Sequence, residues 1–167
     1  MRKTRLYLES SPIMMLASGQ DPRRQGITQE FFRLVMGNHD EYELFLSPVT
    51  IRELGDAKKD EQKKSNASFL DSVRYTELPQ NDEAENLAWI YTIDGVLSQT
   101  NIDDLSHVAY AVVARCDYIV TWNMRHLANA ETEMRVHQVN AKENYAKISI
   151  VTPEHFTKGG TYAKRIT

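Results

Sequence analysis

The sequence predicts an α/β fold in which helices cover both faces of a central, mainly parallel sheet. Short β-rich segments alternate with helical segments along the chain, which is the order expected of such a fold. Tyr118–Trp122 is a continuous apolar run, as is typical of an interior strand in a parallel sheet. No linker or internal repeat divides the 167 residues. We therefore expect one three-layer α/β/α domain over residues 1–156, followed by a flexible tail over 157–167.

The first strand and the first helix are predicted from local patterns. Thr4–Glu9 is short and partly alternating in polarity, and the Ser-Ser-Pro sequence that follows ends it. From Thr28 to Val35, apolar residues recur at helical spacing. Gly37 is a suitable C-terminal end for that helix.

Two further strands flank a long polar stretch. Glu43–Ser47 is a short strand, and Pro48 suits the first position of a helix that Ser47 would cap. The stretch Thr50–Val73 is helical in composition. Arg74–Leu78 is expected to be the third strand, and Pro79 ends it.

The second half of the chain continues the alternation. Asp82–Leu97 predicts a helix, and Ile102–Ala114 predicts a second one that is apolar almost all round and therefore buried. The apolar strand described above comes next. Met124–Asn144 is again helical in pattern, and Lys147–Val151 is the last predicted strand.

Composition excludes several classes of protein. The 20 basic and 23 acidic residues give a net charge of −3, whereas proteins that bind duplex nucleic acid non-specifically usually have a strongly basic face. The single cysteine, Cys116, excludes an intramolecular disulfide framework and a zinc site built on several cysteines. No apolar run approaches the ~20 residues of a membrane span, and Met1–Leu8 lacks the features of a signal peptide. We expect a cytosolic protein.

Four oxygen-bearing side chains are predicted to meet at one edge of the sheet. Glu9 ends the first strand, and Asn123 follows the apolar strand. Glu53 and Asp104 lie near the starts of two predicted helices. Ligands of open parallel sheets bind outside the carboxyl ends of the strands. Three carboxylates and an amide at that edge are suitable ligands for Mg²⁺ or Mn²⁺.

Each of these side chains also has a purely structural interpretation. Glu53 and Asp104 each stand three residues after a possible helix cap, so both fit a capping box. Glu9 fits a solvated residue at a strand end, and Asn123 fits the cap of the next helix. Their joint placement at strand ends and helix starts favours the metal site.

Five segments, in this order, carry a resemblance to a known family: Leu6–Ser11, Ser47–Leu54, Asp103–Ala109, Cys116–Asn123 and Ile150–Pro153. In the same order, the first is a strand that ends in an acidic residue and serines, and the second contains a glutamate near the start of a helix. The third has an aspartate on an apolar helix, the fourth is a strand with a threonine near its end, and the fifth is the last strand. In this order they resemble PIN-domain ribonucleases, and among these the VapC-like toxins of toxin–antitoxin pairs. The resemblance extends from about Leu6 to Pro153.

The resemblance implies a PIN-like fold and a cytosolic endoribonuclease that depends on Mg²⁺ or Mn²⁺. It also implies an antitoxin protein as partner and, often, a homodimer. It places metal-ligand roles on Glu9, Glu53 and Asp104, with Asn123 at the fourth position of the catalytic set. Supporting roles fall on Ser10 or Ser11, which follow Glu9, and on Thr121, which lies on the apolar strand.

This chain departs from the family pattern at two positions. Glu9 replaces the usual aspartate, and Asn123 replaces the usual acidic residue. The site thus has three carboxylate charges instead of four, and affinity for a hard cation falls with ligand charge. The alternative function is therefore a catalytically weakened PIN-like module that binds RNA or a partner protein.

A few remaining polar and aromatic residues give weaker indications. Arg125 and His126 are expected at a helix start, where they would hold an RNA phosphate or form a surface pair. His107 is expected to be a buried, hydrogen-bonded residue of the apolar helix, with a catalytic role as the alternative. Trp89 and Trp122 are predicted to lie in the core.

Overall fold

A computed structural model describes residues 2–157, and their central feature is a five-stranded sheet. Its strands are β1 Thr4–Leu8, β2 Tyr42–Leu46, β3 Thr76–Glu77, β4 Tyr118–Val120 and β5 Ser149–Val151. They lie in the order β3-β2-β1-β4-β5, and every neighbouring pair is parallel. The predicted α/β class with a parallel sheet is confirmed.

Seven α-helices lie in the described part of the chain. They are α1 Ser10–Met15, α2 Pro22–Met36, α3 Pro48–Gly55, α4 Asp60–Ser72, α5 Asp82–Ile93, α6 Ile102–Val113 and α7 Ala130–Lys142. Side chains of Asp21, Ser47, Asn81 and Asn129 accept backbone N–H groups at the starts of their helices. These caps satisfy donors that the first turn of a helix leaves without partners. None of the described helices has the length and apolarity needed to cross a membrane.

The sheet separates two hydrophobic cores. Leu6 and Leu8 of β1 lie in one core with residues of α1, α2 and α4, whereas Tyr7 lies in the other with residues of α5, α6 and α7. This alternation follows from the two-residue period of a strand, which points successive side chains to opposite faces. Both faces of the sheet are therefore covered by helices, as predicted.

Helix α6 is buried on most of its surface, in agreement with its apolar sequence. Leu105, Val108 and Ala109 are fully inaccessible to solvent. The helix packs against α5 and adjoins β4 and α3. Because α6 is so enclosed, the polar residues along it are held in fixed positions.

Several predicted boundaries are wrong. The strand ends before Ser10 as predicted, but the residues after Glu9 form a helix that was not predicted, α1, which the Glu9 side chain caps. Helix α2 starts at Pro22, six residues before Thr28, since Asp21 caps it and proline suits the first turn. The polar stretch from Thr50 contains two helices, α3 and α4, separated by residues 56–59.

The predicted helix Met124–Asn144 is also shorter in the structure. Residues 124–127 form a turn, and α7 begins only at Ala130. Asn129 causes this delay, because its Oδ1 caps α7 while its Nδ2 donates to the carbonyl oxygens of Met124 and Arg125. Apart from Thr157, which is buried, the predicted tail lies outside the described residues.

Candidate metal centre

The predicted site residues gather where β1 and β4 end. These two strands are neighbours, but the strands that follow them lie on opposite sides: β2 lies on the far side of β1, and β5 lies on the far side of β4. Such a reversal opens a crevice at the carboxyl ends of the strands. Glu9 follows β1 directly, and Thr121 follows β4. Both side chains are buried at this crevice.

Glu9 is held by hydroxyl and amide donors, and its carboxylate is not solvated as a simple strand-end residue would be. Only 6% of the residue is exposed. Its Oε2 accepts the Ser11 backbone N–H at 2.8 Å, the Ser11 hydroxyl, and the Thr121 hydroxyl at 3.0 Å. Ser10 Oγ lies 3.1 Å from Oε1. The three predicted supporting residues therefore fix the Glu9 carboxylate.

Glu53 lies beside Glu9 and is linked to it through Ser10. The Ser10 hydroxyl is also 3.2 Å from Glu53 Oε1, so a single hydroxyl lies between the two carboxylates. Glu53 does not act as a capping-box residue, because Ser47 caps α3 and Glu53 is the sixth residue of that helix. Its Oε1 instead forms a hydrogen bond with Nε2 of His107.

His107 and Tyr7 form a buried polar layer beneath the carboxylates. His107 is fully inaccessible, and its Nδ1 lies 2.6 Å from the Tyr7 hydroxyl. That hydroxyl is also 2.6 Å from Ser47 Oγ and 3.3 Å from Thr50 Oγ1. His107 is thus the buried, hydrogen-bonded residue predicted from the sequence. Its contact with Glu53 and its link to Tyr7 were not predicted, although Tyr7 is the β1 residue that must face α6.

Asp104 forms a second polar group on the same rim. Its Oδ1 accepts from Asn123 Nδ2 at 3.4 Å, and its Oδ2 lies 3.0 Å from His126 Nδ1. Asn123 Oδ1 in turn accepts the His126 backbone N–H at 3.0 Å. The Asn123 backbone N–H donates to Thr121 Oγ1 at 2.9 Å, which connects this group to Glu9. Asn123 caps no helix, since Asn129 caps α7.

The donor set fits a divalent cation. One ligand atom each from Glu9, Glu53 and His107 lie within 4.8 Å of one another, and this is the one such group among residues 2–157. Asp104 is not a member of the group. Carboxylate oxygens with one imidazole nitrogen are ligands for divalent ions such as Mn²⁺. The chemistry of the site therefore suits a divalent metal ion, although the ligand group differs from the predicted one.

The protonation equilibria reflect the crowding of charge. Burial acts to raise the pKa of Glu53, but the hydrogen bond and charge of His107 outweigh it and hold that pKa below its usual value. Burial acts to lower the pKa of His107, but its hydrogen bond with Glu53 and the negative charges of Glu9, Glu53 and Asp104 raise that pKa overall. The pKa of Asp104 is raised, chiefly by burial, with a contribution from the Glu9 charge. Burial also raises the pKa of Tyr7, so its phenol stays neutral.

The predicted positions of Arg125, His126 and Trp89 need correction. Arg125 and His126 lie in the turn before α7 and not at a helix start. His126 contacts Asp104, whereas Arg125 is exposed to solvent. Trp122 lies in the core as predicted, but Trp89 does not, because 47% of it is exposed on α5.

Comparison with known proteins identifies the fold. No protein-family model matches the sequence, and no curated protein matches it either. Among solved structures, VapBC2 from Rickettsia felis bound to a DNA fragment from their promoter matches at 12% identity with a TM-score of 0.56. That match covers 89% of this chain and 98% of the other. The chain is structurally similar to VapC PIN-domain toxins over most of its length.

A second VapC structure supports this assignment. VapC20 of Mycobacterium tuberculosis, a sarcin–ricin loop cleaving toxin, matches at 13% identity with a TM-score of 0.51, over 68% of this chain and 86% of that one. Tyrosyl-tRNA synthetase of Archaeoglobus fulgidus matches at a TM-score of 0.48 and 13% identity, over 91% of this chain and 56% of that one. The two VapC matches establish a PIN-like fold.

Proposed function

We propose that this protein is a metal-dependent endoribonuclease of the VapC kind. The observation that carries the proposal is the closeness of Glu9 and Glu53 at the carboxyl edge of a PIN-like sheet, with Asp104 on the same rim. Such carboxylates are otherwise expensive to bury together, because like charges destabilise one another at short range. A bound Mg²⁺ or Mn²⁺ would offset that repulsion.

Glu9 and Glu53 would hold the ion, and Asp104, which the family pattern also makes a ligand, would add its charge from the same rim. A bound divalent ion supplies an activated water and neutralises charge on phosphate oxygens during phosphodiester hydrolysis. Ser10, Ser11 and Thr121 orient the Glu9 carboxylate through the hydrogen bonds described above. Asn123 positions Asp104 through its amide and completes the polar rim.

RNA is the proposed substrate, by analogy with VapC20. Two groups on the turn after β4 are suitably placed to contact a phosphate. Arg125 is exposed there, and the His126 ring is about one-third exposed beside Asp104, with a side-chain exposure of 35%. A guanidinium pairs with phosphate oxygens in a planar, bidentate geometry. We expect these two residues to contribute to RNA affinity.

The same analogy suggests the partners and location of the protein. We propose a homodimer that is restrained by a small antitoxin protein, in the cytoplasm. Size-exclusion chromatography with light scattering would test the dimer. Co-purification with the product of a neighbouring reading frame would test the antitoxin.

A second candidate function is a PIN-like module that binds RNA or a partner protein without cutting. Asn123 favours it, because an amide stands where the family pattern has a charged oxygen. The Asp104 carboxylate, moreover, is already engaged by Asn123 and His126. Binding of RNA without cleavage at any metal concentration would support this alternative.

The test is RNA cleavage by the purified protein with Mn²⁺, compared with Glu53→Gln and Asp104→Asn. We expect each substitution to lower the rate by at least roughly 100-fold, by analogy with the loss seen when groups that support a metal centre are removed. Asp103→Asn is the matched control, because Asp103 is the exposed neighbour of Asp104 and pairs with Arg52 at 2.9 Å. Unchanged cleavage by Glu53→Gln and Asp104→Asn would refute the proposal.

A further inference from the structure

The geometry points to His107 as a nitrogen ligand of the bound ion, through Nε2, together with Glu9 and Glu53. This inference rests on the proposed metal centre and specifies its ligands. It differs from the all-oxygen set that the sequence predicted, in which Asp104 was the third ligand. It also changes which ion the centre should prefer.

Proximity is the first support for this ligand set. The three ligand atoms of Glu9, Glu53 and His107 lie within 4.8 Å of one another, as expected of atoms around one cation. Asp104 is outside this group, and both of its carboxylate oxygens have partners, in Asn123 and His126. His107 therefore stands nearer to the two glutamates than the predicted third ligand does.

The Tyr7 hydroxyl provides the second support, which is independent of the carboxylates. Histidine ligands of metals usually have their other ring nitrogen fixed by a hydrogen bond, which sets the tautomer and the ring orientation. His107 Nδ1 lies 2.6 Å from the Tyr7 hydroxyl, and both residues are completely buried. When Nδ1 donates its proton to Tyr7, the Nε2 lone pair would be available to a cation held between it and the two glutamates.

The surroundings of Tyr7 accommodate this arrangement. Its hydroxyl lies 2.6 Å from Ser47 Oγ, so it can donate there while accepting from His107. The Thr50 hydroxyl donates to the Leu8 carbonyl oxygen at 2.9 Å, which directs its proton away from Tyr7. Without metal, Nε2 shares a proton with Glu53 Oε1 in a hydrogen bond. A bound cation would take the place of that proton, and Tyr7 would keep the His107 ring in position through Nδ1.

An imidazole ligand alters the choice of metal. Carboxylate and water ligands suit Mg²⁺, whereas an imidazole nitrogen favours transition-metal ions. A set of two carboxylates and one imidazole should therefore bind Mn²⁺ more tightly than Mg²⁺. The alternative is that His107 only pairs with Glu53 and never contacts the ion.

Pulsed electron paramagnetic resonance of the full chain with Mn²⁺ alone distinguishes these cases. We expect a ¹⁴N coupling of a directly bound imidazole in the parent protein. It should be lost in His107→Gln and kept in His126→Gln, which is the matched control for the other histidine on the rim. Bound Mn²⁺ without that coupling, a coupling lost in His126→Gln, or no Mn²⁺ binding would each overturn the inference.

Tyr7→Phe supplies a second test that does not remove the ligand, should His107→Gln fail to fold. We expect its Mn²⁺ affinity to fall by roughly 10-fold or more while the nitrogen coupling remains. Unchanged affinity would argue against the positioning role of Tyr7. The two proposals fail separately: cleavage of RNA without nitrogen coupling would overturn only the ligand set, and nitrogen coupling without cleavage would overturn only the ribonuclease.

Discussion

Thr121 is the residue whose replacement tests most directly how Glu9 is held. Its hydroxyl is fully buried, donates to Glu9 Oε2 at 3.0 Å and accepts the Asn123 backbone N–H at 2.9 Å. Thr121→Val keeps the shape of the side chain but removes both hydrogen bonds, together with the longer 3.4 Å contact to the Ser11 hydroxyl. The substitution therefore isolates the contribution of the hydroxyl.

The expected loss follows from these two contacts. A hydrogen bond to a charged group contributes about 1.5–3 kcal/mol, and leaving a buried N–H without an acceptor costs about 1–3 kcal/mol. Glu9 keeps the two donors of Ser11, so the effects will not add fully. We expect Thr121→Val to lower the free energy of unfolding by roughly 2–4 kcal/mol.

Urea unfolding in the presence of EDTA measures this loss without a contribution from bound metal. Thr92→Val is the matched control, because the Thr92 hydroxyl donates at 3.0 Å to the Ala88 carbonyl oxygen inside α5. That carbonyl keeps its helical hydrogen bond, so the control should lose less than about 0.5 kcal/mol. If the two variants are equally stable, the view of Thr121 as a support of the site is wrong.

Three other measurements test separate parts of the structure. The pKa of Glu53 is lowered, so its ionised form stabilises the fold above about pH 4.5. The pKa of His107 is raised, so its charged form stabilises the fold below about pH 6.5, and this stabilisation is lost as the pH rises further. The destabilisation caused by Glu53→Gln in EDTA should thus be larger near about pH 5.5 than near about pH 9, and a flat profile would contradict the pairing. Burial raises the pKa of the Cys116 thiol from 9.0 to about 12, which lowers the fraction of thiolate roughly 1000-fold. We therefore expect Cys116 to be alkylated only after unfolding, and rapid alkylation of the native protein would contradict its burial. Acrylamide should quench the fluorescence of Trp89, 47% exposed, but hardly that of Trp122, 6% exposed, so Trp89→Phe should remove most of the quenching.

Continuous apolar segments of this chain were predicted more reliably than helix starts. Strand β4 and helix α6 were predicted correctly, because a continuous apolar run has few alternatives to burial. Helix α1 was missed, since its cap is a glutamate side chain and this type of cap is not among the commonest. The start of α7 was misplaced because a local turn, fixed by Asn129, competes with helical propensity.

In the candidate site, too, some features were predicted from the sequence and others were not. Glu9 and Glu53 were predicted to meet, because parallel strands bring their carboxyl ends to one edge. The sequence placed His107 on an apolar helix but gave no sign that it contacts Glu53, since those residues are 54 positions apart. The distance of Asp104 from the two glutamates depends on how α6 is rotated against the sheet, and local patterns do not determine that rotation.

The amino-acid sequence alone therefore determined the fold class and the parallel sheet, because both follow from hydrophobic patterns along short segments. It also determined the edge at which the acidic residues collect, because the carboxyl ends of parallel strands lie at one edge of a sheet. Only the tertiary structure decided which side chains meet. It placed His107 between Glu53 and Tyr7, and it drew Asp104 toward Asn123 and His126. The physical reason is that these contacts join residues distant in sequence, and their geometry is set by the packing of whole helices on the sheet.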